Sequence, residues 1–126
     1  MTDLSAATGD LVTASTSLAR PIDLVHLARM TLGERSLERE VLQLFDRQAM
    51  LLMERMQAAP LEAVPTLAHT LKGSARAIGA AQVARAAEAV EAVGTADQAD
   101  VKRALGRLRA ATEEARGFIA ELLRAH

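Results

Sequence analysis

Between Glu34 and the Ala58-Ala59-Pro60 break, Leu37, Val41, Leu44, Phe45, Leu51, Leu52 and Met56 recur at three- and four-residue steps. That spacing lays apolar side chains along one face of a long amphipathic helix. A second stretch begins near Leu61, carries Val64, Leu67, Leu71, Ala75 and Ile78, and stops at Gly79, a residue type that tolerates a left-handed C-cap. Pro65 falls in its first turn, where few backbone hydrogen bonds are at risk. From Ala80 to Val93, apolar Val83, Ala87 and Val90 alternate with polar Arg85, Glu88 and Glu91 until Gly94-Thr95 breaks the pattern. Asp97 or a neighbour then starts a last helix, with Val101, Leu105, Leu108, Ala115, Ile119 and Leu122 in one row. Lys102, Arg103, Arg107, Arg109, Glu113 and Glu114 lie mostly off that row. Upstream, Pro21 and Asp23 introduce Leu24, Val25, Leu27 and Ala28, a short helix that runs out near Thr31-Leu32-Gly33. Four long helices with short loops imply an all-α, antiparallel up-and-down four-helix bundle with a short preceding helix.

The pattern assigns residues 21–126 to the bundle and residues 1–20 to an arm. The arm is rich in Ser, Thr and Ala, and reads as flexible or weakly helical. Composition agrees with helix: of 126 residues only 7 are Gly and 3 Pro, and two Phe are the only aromatics, so aliphatic side chains must build the core. Fifteen basic against sixteen acidic residues leave a net charge of -1, so no global field draws the chain onto nucleic acid or anionic lipid. The absence of cysteine removes disulfides, thiolate metal sites and a cysteine nucleophile together. No apolar run approaches the roughly 20 residues that span a bilayer, and no basic-then-apolar leader opens the chain. The reading is a soluble, cytoplasmic protein.

Candidate chemistry is sparse. The three histidines, at 26, 69 and 126, are not spaced to share a helical face as a metal pair, and phosphate-loop, nucleophile-elbow and DNA-reading signatures are missing. On the wheel of the Leu61–Gly79 helix, with Leu71 at zero, Val64, Leu67, Ala75 and Ile78 fall within roughly 40°. His69 falls near 160°, Lys72 and Arg76 at roughly 100° and 140°, and Gly73 at roughly 200°. An outer face therefore groups an imidazole, two cations and a missing side chain. Neutral imidazole is nucleophilic at cytoplasmic pH, its reference pKa being about 6.5. Lys72 and Arg76 could hold phosphate oxygens, and Gly73 leaves room above the ring. A glycine inside a helix costs roughly 1 kcal/mol relative to alanine, so Gly73 asks for a reason: steric access or close helix packing. Taken singly, each residue also reads as ordinary solvated helix surface, as do Glu88 and Glu91 on the next helix.

His69-Thr70-Leu71-Lys72-Gly73-Ser74-Ala75 followed by Gly79-Ala80 resembles the H-x-L-K-G-S-[SA]-x-x-x-G-[AL] signature of histidine-containing phosphotransfer (HPt) domains. The resemblance implies that His69 is the phosphoaccepting histidine, modified at Nε2, and that Lys72 helps balance phosphate charge. It also implies that Gly73 keeps the ring approachable and that Glu91 lies near Nδ1, where a hydrogen bond would fix the tautomer. Ser74, Ala75 and Gly79 fall on structural positions. Arg76 stands where many members carry a small residue, so its place at phosphate rests on helix geometry, with recognition of an acidic partner as the other reading. The partners implied are response-regulator receiver domains and a hybrid histidine kinase. The divalent ion of transfer belongs to the receiver, leaving this chain no cofactor of its own.

The sequence thus reads as a monomeric phosphocarrier of a multistep His-Asp phosphorelay, a phosphohistidine intermediate more than a conventional enzyme. The rival from another class is a non-phosphorylated adaptor that binds a receiver or kinase and regulates it by occupancy. A third reading, a structural bundle with an incidental outer histidine, leaves the Lys-Gly-Ser run unexplained.

Overall fold

Asp23 opens the first helix by capping: its Oδ1 accepts from the backbone N–H groups of Val25 and His26 at 3.0 and 3.1 Å. This satisfies donors that a helix start leaves free. The computed structural model describes residues 20–125, so the rest of the N-terminal arm and His126 lie outside the described residues. The helices are α1 (Leu24–Met30), α2 (Arg35–Ala58), α3 (Val64–Ile78), α4 (Ala81–Val93) and α5 (Gln98–Ala125). A single 3₁₀ turn, Leu61–Ala63, leads into α3, and no strand occurs among the described residues. Asp97 repeats the capping of Asp23 at the head of α5, its Oδ1 accepting from Ala99 N–H at 2.9 Å.

Each long helix packs on the next, and α2 also packs on α5, which closes the four into a helical bundle; α1 lies against α3. The core is aliphatic, with Leu42, Met56, Val64, Leu71, Leu108 and Ile119 fully enclosed, each such side chain contributing about 1.5–3 kcal/mol by burial. Alanines 49, 68, 75, 87 and 115 are also completely buried. Small side chains at the contact positions let neighbouring helices approach closely. Polar ties reach across the α2–α5 seam, among them Arg116 Nε to Asp46 Oδ1 at 2.8 Å and Arg39 Nη1 to the Leu123 carbonyl at 2.9 Å.

The α2 stripe needs correction. Leu44 and Leu51, grouped with the apolar row, are 52% and 45% exposed, whereas Leu42, Ala49 and Met53 are buried. The reason is that α2 faces two neighbours, α3 and α5, so its buried arc is centred between them and leaves Leu44 and Leu51 on its flanks. On α3, Ala68 is buried and Leu67 only partly so.

A tight turn sets α4 beside α3. Ala80 N–H donates to the Ala75 carbonyl at 2.8 Å and Gly79 N–H to the Arg76 carbonyl at 3.3 Å, the paired bonds of a Schellman close. Gly79 takes φ 87°, and a Cβ there would lie 3.1 Å from His26 Cδ2 and 3.2 Å from the Asp23 carbonyl oxygen. Glycine is thus required twice, by backbone conformation and by space.

Candidate functional site

The α3–α4 pairing brings His69 and Glu91 together across 22 positions of sequence. His69 exposes 69% of its side chain, and its Nδ1 lies 2.8 Å from Glu91 Oε2. A carboxylate only accepts, so the ring proton sits on Nδ1 and donates to Glu91. In the neutral ring Nε2 then carries the free lone pair. The other carboxylate oxygen, Glu91 Oε1, is paired with Lys72 Nζ at 2.6 Å. Glu91 is consequently a bridge, one oxygen on the imidazole and the other on the ammonium.

This pairing holds the Glu91 carboxyl below its ordinary pKa: the Lys72 hydrogen bond acts most strongly, burial opposes it, and the His69 hydrogen bond adds to the lowering. Lys72 exposes only 13% of its side chain. The ammonium is therefore turned toward Glu91 on α4 rather than standing on the open face that the helical wheel suggested. A wheel position roughly 100° from the centre of the buried stripe is the flank of the helix, and here that flank meets α4.

Gly73, one turn beyond His69, has nothing outside its own helix backbone and chain neighbours within 4 Å of where a Cβ would stand. Close helix packing does not explain this glycine; open space beside the imidazole does surround it. Arg76 stays on the surface, with Nη2 at 3.6 Å from Glu88 Oε2 and both side chains more than half exposed. A surface pair of that kind is worth at most about 1 kcal/mol and leaves the guanidinium available. Arg76 and Arg85 line a common cavity of about 280 Å³ that also reaches His26 and Glu88. His69 itself borders a shallow depression of about 290 Å³ lined by Pro65, Thr66 and Glu91.

Sequence reasoning missed two features. One is the Lys72–Glu91 pair, whose only sequence signal is the flank position of both residues. The other is an apolar groove between α1, α2 and α3, lined by Met30, Val41, Leu44, Phe45, Ser74 and Ala77. Met30 on α1 and Leu44 on α2 are exposed there, on the two helices that flank the one carrying His69. His26 is structural: its Nε2–H donates to the Ala77 carbonyl at 2.9 Å, tying α1 to the end of α3. Among the described residues, no three His, Asp or Glu side chains gather as a metal site would need, and no helix is long and apolar enough to cross a membrane.

No curated protein and no solved structure matches the chain significantly. A family model for the Hpt domain does, over residues 37–118, a span that starts early in α2, ends late in α5 and contains His69, Lys72, Gly73, Arg76 and Glu91. The match covers well over half of the sequence and leaves α1 outside, and on it the chain belongs to the Hpt domain family, the histidine phosphotransfer domains.

Proposed function

We propose that the chain is a cytoplasmic, monomeric phosphocarrier that accepts a phosphoryl group on His69 Nε2 and exchanges it with the aspartate of response-regulator receiver domains in a multistep phosphorelay. The observation that carries this reading is the His69–Glu91 hydrogen bond, which protonates Nδ1 and leaves an exposed Nε2 as the nucleophile. The Nε2 lone pair forms the N–P bond as the P–O bond to the receiver's aspartyl phosphate breaks, its electron pair leaving with the aspartate carboxylate. The ring becomes cationic, and Glu91 on Nδ1 stabilises that charge through a charge-assisted hydrogen bond. Transfer runs in reverse by the same path, so direction is set by the partners. The divalent ion of the reaction is assigned to the receiver's acidic residues.

The receiver's docking surface is taken to be the outer face of α3 with the neighbouring apolar groove at Met30, Leu44 and Ala77, edged by Arg76 and Arg85. Apolar contact supplies area, and the arginines steer an acidic pocket onto the histidine.

Incubation with radiolabelled, phosphorylated receiver domains tests the reading. Wild type is expected to take up acid-labile label, and His69→Gln to fold normally and take up none. Label retained by the variant would overturn the assignment.

A further inference from the structure

On the side of the bundle away from Glu91, the C-terminal half of α2, the 3₁₀ turn and the N-terminal half of α5 enclose a groove of about 530 Å³. The partly buried Leu61 and Leu105 supply apolar wall over the enclosed Met56 and Val101, and Lys102 and Arg109 stand at its rim. No carboxylate lines it.

Arg103, Arg116, Lys72 and Arg76 each pair with a carboxylate. Among the described residues neither rim cation makes a salt bridge, although Arg109 also borders a neighbouring cavity lined by Glu54 and Glu113. Arg109 is oriented by a neutral group instead: the Gln57 amide oxygen, in the orientation that satisfies both side chains, accepts from Nε at 2.9 Å and Nη2 at 3.0 Å. This holds the guanidinium at the groove through a neutral partner that takes none of its charge. Lys102 and Arg109 are seven residues apart on one helix, hence on one face and roughly 10 Å apart along the axis. Leu105 lies between them and faces the groove.

We propose that this groove docks an acidic amphipathic helix of a partner protein. The complement of two cations two turns apart with an apolar side chain between them is a helix carrying carboxylates at i and i+7 and leucine-like residues at i+3 and i+4. The rim would supply specificity and speed of encounter, and the apolar wall the affinity. Val64, which also borders the groove, and His69 lie on opposite faces of α3, so this site and the histidine can be occupied together. The inference does not depend on phosphotransfer at His69.

The test uses the full chain and a labelled Ala-based helical peptide of about 18 residues, bearing Glu at i and i+7 around Leu at i+3 and i+4, beside the same peptide with Lys in place of Glu. Saturable binding of the Glu peptide alone is expected, with amide shifts confined to residues 56–64 and 98–109. Lys102→Glu with Arg109→Glu should weaken it about tenfold or more and transfer preference to the Lys peptide. His69→Gln should bind the Glu peptide as wild type does. Equal binding of the two peptides to wild type, no saturable binding, or shifts centred on His69 would overturn the proposal. So would displacement of the Glu peptide by a synthetic peptide of residues 1–19, or self-association of the chain through this groove, which would make the arm or a second copy the occupant.

Discussion

Glu91 on α4 grips His69 on α3 by Nδ1 at 2.8 Å, and the same carboxylate is gripped from the other side by Lys72 at 2.6 Å. The histidine's orientation is thus set by a residue two removed from it in the chain of contacts. Lys72 thereby holds the group that holds the ring.

The first prediction concerns pH. The folded-state pKa of Glu91 is depressed, chiefly by Lys72, so its ionised form stabilises the fold in full above the unfolded value of about 4.5 and loses that contribution as pH falls through the lower folded value. Thermal melts of wild type and Glu91→Gln should differ most above the unfolded value of about 4.5, and the gap should close as pH falls through the lower folded value. A gap that stays constant into acid would show that the depression is absent, and one that widens would show that the folded value is raised.

A second prediction separates Lys72 from direct phosphate contact. If Lys72 works through Glu91, then Lys72→Ala and Glu91→Gln should each slow phosphoryl uptake by about tenfold, and the double variant should be little slower than either. In Lys72→Ala, the ring-proton signals of His69 should shift as Glu91 loses its anchor. Strictly multiplicative rate losses, with the His69 spectrum unchanged, would return Lys72 to an independent role at phosphate.

How much of this was written in local pattern can be argued residue by residue. The wheel of α3 separates Leu71, Ala75 and Ile78, which are buried, from His69 and Gly73, which are not, because periodicity along one helix reports one buried face. It reports less well on a helix with two neighbours: on α2 the row containing Leu44 and Leu51 mixes the core with its flanks. Contacts between helices leave no periodic trace at all. Lys72 and Glu91 are 19 positions apart, and only the tight turn at Gly79-Ala80 determines that their flanks meet.

That turn gives a third prediction. Gly79→Ala would force φ 87° on a residue with a Cβ and push that Cβ to within 3.1 Å of His26 and 3.2 Å of Asp23. The left-handed conformation alone costs about 1–2 kcal/mol, and the crowding adds to it. Chemical denaturation should show at least that loss. A variant as stable as wild type would mean that the α3–α4 turn has relaxed into another close.

Gly73 should behave in the opposite sense, and the contrast isolates function from folding. Nothing outside its own helix backbone and chain neighbours approaches its missing Cβ, and it sits within the continuous helix Val64–Ile78. Gly73→Ala should therefore raise stability by up to about 1 kcal/mol, the gain expected from removing a glycine from a helix interior. Phosphoryl uptake should fall, because the new methyl stands one turn from the imidazole, on the face proposed for the receiver. Gly73→Leu should lower transfer much further while remaining folded, since the open surroundings of its Cβ leave the helix backbone undisturbed. Larger residues at 73 that keep both stability and transfer rate would show that access to His69 does not run over this position, and that the receiver reaches Nε2 from the Pro65–Thr66 side of the depression.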